Sequence, residues 1–143
     1  MTSVCRILNV DDHNDSREMV NFLLHSSDLN CEITSAECAE TAISKMTNQS
    51  FDLYILDYSL PRASGVELCS YIRNNDSSAP ILFFTAMARS IDREAGINAG
   101  ADEYLVKPND LDKLTETVKR LLNEKSSCLS NASIKNIDYN GIY

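Results

Sequence analysis

Short apolar runs alternate with stretches of helical period along the chain. Val4 to Val10 is apolar apart from Arg6 and Asn9, and this predicted strand stops at Asp11-Asp12. Met19, Val20, Leu23 and Leu24 then recur at helical spacing, which predicts a helix over Ser16 to His25. Ser16 is its expected N-cap, because a serine hydroxyl accepts from an unpaired first-turn amide. Cys31 to Ala36 reads as a second, weaker strand, followed by a helical stripe of Ala39, Ala42, Ile43 and Met46. Leu53-Tyr54-Ile55-Leu56 is continuously apolar, the mark of a strand covered on both faces. It ends at Asp57, and a loop with Pro61 and Gly65 leads to a helix carrying Val66, Leu68, Cys69 and Ile72. Pro80 introduces the most apolar run, Ile81-Leu82-Phe83-Phe84. The helix that follows, Ile91 to Ala99, is shorter and more polar and closes at Gly100. Its weak apolar stripe makes it the expected loosest element. Tyr104-Leu105-Val106 is the last strand, and beyond Lys107-Pro108 a helix carries Leu111, Leu114, Val118, Leu121 and Leu122.

Five strand–helix units of this kind predict an α/β fold: a doubly wound, five-stranded parallel sheet with five helices, in the flavodoxin-like order 2-1-3-4-5. The domain is expected over residues 1–125; residues 126–143 are rich in Ser and Asn, lack a period, and are expected to form a flexible tail. A length of 143 residues and a hydrophobic fraction of 43% suit one domain with a real core. The net charge of -8, spread along the chain, argues against direct nucleic-acid binding, which needs a basic face. No apolar run reaches the roughly 18–20 residues of a membrane span, and Met1 to Arg6 lacks the form of a signal peptide. Five cysteines without a CxxC pair fit free thiols in a reducing, cytoplasmic setting.

In open α/β sheets ligands bind beyond the carboxyl ends of the strands, where the strand order reverses. Strand 1 ends in Asp11-Asp12, strand 3 in Asp57, strand 4 in Thr85 and strand 5 in Lys107. Each has a plain reading alone: Asp11 or Asp12 as a helix cap, Asp57 as a turn residue, Thr85 as structural, Lys107 as a solvated charge. None of these explains why all of them fall at one edge of one sheet. Phosphoryl transfer to a carboxylate uses this set. Clustered carboxylates raise one another's pKa, and Mg²⁺, which favours hard oxygen ligands, relieves the repulsion. The lysine and the hydroxyl then hold phosphoryl oxygens, so catalysis is positioning plus charge neutralisation.

The chain resembles a two-component response regulator receiver domain, of the kind found in chemotaxis regulators, over roughly residues 4–124. The matching segments are Ile7-Leu8-Asn9-Val10-Asp11-Asp12, the run from Asp57-Tyr58-Ser59-Leu60-Pro61 to Gly65-Val66-Glu67-Leu68, Phe84-Thr85-Ala86, and Gly100-Ala101-Asp102-Glu103-Tyr104-Leu105-Val106-Lys107-Pro108. The resemblance implies that Asp57 accepts phosphate from a sensor histidine kinase or phosphotransfer protein. It implies that Asp11, Asp12, Asp57 and the Ser59 backbone carbonyl hold Mg²⁺, with Asp12 a direct ligand. Lys107 would pair with the phosphoryl group ahead of a cis Lys-Pro bond. Thr85 would be the switch hydroxyl, and Tyr104 the aromatic switch residue that fills space opened when Thr85 moves; the plain alternative for Tyr104 is a half-exposed edge-strand aromatic. Asn9 puts an amide inside strand 1 and needs a partner there. Met87, two residues after Thr85, brings no acid to orient water.

The implied function is a phosphorylation-activated switch, not a dedicated enzyme, with self-catalysed phosphotransfer and dephosphorylation at Asp57. With no output domain visible after helix 5, the signal is expected to leave by protein contact unless the chain belongs to a longer regulator. A homodimer through the helix-4, strand-5, helix-5 face is a further expectation. One rival is an aspartyl-phosphate hydrolase of the haloacid-dehalogenase type, which needs a second acid where Ser59 stands. Another is a never-phosphorylated pseudo-receiver, against which the full set of Asp11, Asp12, Asp57, Thr85 and Lys107 speaks.

Overall fold

A computed structural model of the chain describes residues 4–125. The expected tail, and Cys128 with it, lies outside the described residues. Strands β1 (Cys5–Val10), β2 (Cys31–Ala36), β3 (Leu53–Leu56), β4 (Ile81–Thr85) and β5 (Glu103–Val106) form one sheet in the order β2-β1-β3-β4-β5. Every neighbouring pair is parallel. Helices α1 (Asn14–His25), α2 (Ala39–Asn48), α3 (Gly65–Asn75) and α4 (Ser90–Asn98) connect the strands, and a fifth, α5, covers 114–125 after a single 3-10 turn at Leu111–Lys113.

The alternation of side chains along each strand splits the core in two. Leu8, Val10, Tyr54, Leu56, Ile81, Phe83 and Tyr104 face one layer, closed by Ala39 and Ala42 of α2 and by Leu68, Cys69 and Ile72 of α3. Ile7, Leu53, Ile55, Leu82, Phe84 and Leu105 face the other, closed by Val20 and Leu24 of α1 and by Leu114, Val118 and Leu121 of α5. The central strands β3 and β4 are buried along their whole length, as their unbroken apolar runs require. Helix α3 has a built start: the Ser64 hydroxyl accepts from the Glu67 amide at 3.1 Å. Helix α4 is the shortest of the four fully bounded helices, and the residues it buries are Asp92 and Gly96 rather than aliphatic side chains. That is the physical content of its weak apolar stripe.

The first helix starts earlier than its apolar period. Asn14 opens it, the capping position falls on His13, and no side chain caps it. Ser16 therefore sits inside the first turn, where its hydroxyl has a different partner. Cys5, Cys31, Cys38 and Cys69 are free thiols. No helix among the described residues is long and apolar enough to cross a membrane.

Two isoleucines separate core from surface. Ile55→Ala, in the middle of the sheet, is expected to cost about 2–5 kcal/mol. Ile91→Ala, at a position 65% exposed on α4, should stay within about 0.5 kcal/mol of wild type. Urea unfolding of both variants checks the pair.

Candidate functional site

The sheet's own hydrogen bonds fix the backbone of the site. The amide of Asp11 donates to Ala36 O at 3.0 Å, that of Asp57 to Val10 O at 2.9 Å, and that of Lys107 to Thr85 O at 2.8 Å. Each residue thus continues a ladder one step past its strand, and its side chain leaves the sheet at the common carboxyl edge. The loop after β3 is held just as tightly: Gly65 donates its amide to Tyr58 O at 2.7 Å. A Cβ on Gly65 would stand 2.0 Å from the Asp57 carbonyl oxygen, so only glycine lets α3 begin so close to the acidic residue.

Asp11 and Asp57 are 3% and 5% exposed. Their common partner is Lys107, whose Nζ donates to Asp11 Oδ2 at 2.6 Å, to the Ser16 hydroxyl at 2.7 Å and to Asp57 Oδ2 at 3.4 Å. This explains Ser16 inside α1: its hydroxyl anchors the ammonium instead of capping the helix. Lys107 also lies over the Phe84 ring, 5.4 Å from its centroid, and a cis peptide joins it to Pro108. Ligand atoms of Asp11, Asp12, His13 and Asp57 all lie within 4.8 Å of one another. His13 was not anticipated. Its position directly after the acidic pair was the available signal, and its Nδ1 lies 3.0 Å from Asp12 Oδ1. Ser59 turns its amide toward Asp57 Oδ1 at 3.4 Å. Three carboxylates against one lysine leave an excess of hard oxygen donors, a set that fits a divalent cation such as Mg²⁺.

Burial pushes the Asp11 carboxyl up, but hydrogen bonds from Lys107, Ser16 and the His13 amide outweigh it and hold the group below the usual carboxylate range. Beside these groups opens a cavity of about 410 Å³, lined by Met19, Phe84, Ala86, Pro108 and Leu111, with Asp57 and Lys107 at its polar end.

Thr85 and Tyr104 make their own contacts with the loop after β4. Thr85 is fully buried, and its Oγ1 accepts from the Met87 amide at 3.2 Å. Tyr104 is not half-exposed: it is 1% exposed, and its hydroxyl donates to Met87 O at 2.6 Å. Burial first, and Asp92 next, push that hydroxyl up to about 12. In the described state the ring is therefore turned inward. Both contacts end on Met87, so the start of the β4–α4 loop is held from β4 and from β5. Asn9 is buried, and its amide nitrogen has no partner among the described residues, so the expected partner is not found.

The chain matches the response regulator receiver domain family over residues 7–119. It is 34% identical to the transcriptional regulatory protein TrcR of Mycobacterium tuberculosis over 87% of its own length and 48% of TrcR. It is 32% identical to the response regulator ArlR of Staphylococcus epidermidis over 81% of its length and 52% of ArlR. The chain spans about half the length of these curated relatives. Among solved structures it resembles a CheY-like receiver domain protein from Methanospirillum hungatei (30% identity, TM-score 0.78, 87% of this chain and 98% of that one). It also resembles the response regulator TrrA of Thermotoga maritima in complex with Mg²⁺–BeF (36% identity, TM-score 0.71, 82% of this chain and 99% of that one).

The Asp11 shift has a pH consequence. A carboxyl depressed in the folded state contributes stability that is present above its unfolded value, near ~4, and lost as pH falls through the folded value. Lys107→Met removes the ammonium and leaves the burial, so Asp11 is expected to titrate at higher pH, and its share of the acid-side loss of stability to shrink while the protein is less stable at neutral pH. Carboxyl ¹³C NMR of the metal-free protein, with acid unfolding alongside, measures both.

Proposed function

The chain belongs to the response regulator receiver family, the phosphoacceptor module of two-component systems, and on that premise we propose that Asp57 is the residue that takes the phosphoryl group. The observation that carries this is the placement of Asp57: buried at the end of β3, it faces both Lys107 and the acidic pair. An Asp57 carboxylate oxygen attacks the phosphorus of a phosphohistidine on a sensor kinase or phosphotransfer protein. The phosphorus–nitrogen bond breaks, and Asp57 carries an acyl phosphate. The incoming group reaches Asp57 through the cavity beside Phe84 and Pro108.

Asp11, Asp12, Asp57 and the Ser59 carbonyl would hold Mg²⁺, which when bound neutralises charge on the transferring group. Lys107 already points into the site, so its ammonium can meet the new phosphoryl oxygens without crossing the protein. Hydrolysis of the acyl phosphate is self-catalysed, with no acid from Met87 or Ser59 to orient the attacking water. The protein works in the cytoplasm.

Signal leaves through Thr85 and Tyr104. The Thr85 hydroxyl turns to donate to a phosphoryl oxygen and releases the Met87 amide that it accepts from in the described state. The β4–α4 loop and the α4–β5–α5 face respond, and a downstream protein reads that face, where a homodimer would also form.

Acetyl phosphate with Mg²⁺ should add one phosphoryl group to the wild-type protein by intact mass, and none to Asp57→Asn. Label on Asp57→Asn would place the nucleophile elsewhere. Asp12→Asn is expected to weaken Mg²⁺ binding at least tenfold by calorimetric titration; an unchanged affinity would remove Asp12 from the metal site.

A further inference from the structure

Helix α4 meets the sheet through two buried residues, Asp92 and Gly96. Asp92 is occupied: Arg89 donates from Nε and Nη2 to its two carboxylate oxygens at 3.0 Å each. Gly96 lies against the aromatic pair. A Cβ there would stand 3.1 Å from two ring carbons of Phe83 and 3.2 Å from a ring carbon of Tyr104. Carbon atoms in good contact sit about 3.5–4.0 Å apart, so one of the rings would have to give by a few tenths of an ångström.

Phe83 is the ring with less room to give. It is fully buried, packs against Tyr58 and Tyr104 with centroids 6.1 and 5.5 Å away, and abuts Gly65 at its other edge, where a Cβ would come within 3.0 Å. Tyr104 has a way out. Strand β5 is an edge of the sheet, and a different staggered rotamer carries a strand side chain to another direction. Leaving would break the hydrogen bond from its hydroxyl to Met87 O.

We propose that Gly96 is a positioning residue: by presenting no side chain to Phe83 and Tyr104, it admits the Tyr104 ring to the interior and so allows the Tyr104 hydroxyl to hold the β4–α4 loop. Its bearing on signalling rests on the reading of Tyr104 as part of the readout. A glycine inside a helix ordinarily weakens it relative to alanine. A purely local effect of Gly96→Ala would therefore be a firmer α4 with Tyr104 undisturbed.

The test is NMR of protein labelled with ring-¹³C tyrosine, with the Tyr104 signal identified by its loss in Tyr104→Phe. Without any phosphoryl mimic, wild type should show a buried Tyr104, and Gly96→Ala should move that signal to the position of an exposed tyrosine. Phe83→Leu combined with Gly96→Ala removes the ring carbons that the methyl group meets, and should return Tyr104 to the buried position. A Tyr104 signal unchanged in Gly96→Ala overturns the proposal. Should that variant not fold, the double variant decides: folded with the ring buried supports the proposal, and any other result overturns it. Beryllofluoride with Mg²⁺ reports separately on the readout. If wild-type amides over residues 85–107 fail to shift, the readout reading falls, while the ring comparison still decides Gly96.

Discussion

Like charges held together govern this molecule. Asp11 and Asp57 are buried at adjacent strand ends with Asp12 beside them, and a pair of like charges about 4 Å apart near a protein surface repels by about 4 kcal/mol. Lys107 is the cation that makes the arrangement tolerable, bridging Asp11 and Asp57 from β5 across the sheet. One ammonium against three carboxylates leaves the site short of positive charge, which is the condition that draws a divalent cation. On the proposed function, a phosphoryl group would arrive among groups already placed to meet it. The strand order β2-β1-β3-β4-β5 is what brings these residues together, since β1 and β3 are neighbours although a strand and two helices separate them in sequence.

The packing supports that edge. Two apolar layers clamp the sheet, and the buried strands β3 and β4 deliver Asp57 and Thr85 at fixed height. Gly65 lets α3 start against the backbone of Asp57, and Gly96 lets α4 rest on Phe83 and Tyr104. Phe83 touches both glycine positions, so the ring lies between the loop that carries Asp57 and the helix proposed to respond. Lys107 reaches Ser16 of α1, whereas Tyr104 packs in the layer closed by α2 and α3.

Much of this was legible in the order of residues. The unbroken runs Leu53–Leu56 and Ile81–Phe84 announced central strands, and the polar residues that end them fell at one edge once the topology was drawn. What escaped is what depends on side-chain direction. Ser16 looked like a helix cap because the apolar period of α1 starts after it; only the fold shows Lys107 reaching its hydroxyl. Tyr104 could be placed on β5 but not turned inward, since an edge strand offers an aromatic ring both water and core. His13 carried no pattern beyond its neighbours. Asn9 was read as an amide in need of a partner, and among the described residues its buried side-chain nitrogen has none.

Reductive trapping tests the central claim most directly. Borohydride reduces an acyl phosphate to an alcohol, so a phosphorylated aspartate becomes homoserine and peptide mass mapping locates it. Protein labelled with acetyl phosphate and Mg²⁺ should yield homoserine at position 57 and nowhere else. Homoserine at 11 or 12, or label that resists reduction, would contradict the assignment of Asp57 as the residue around which the site is built.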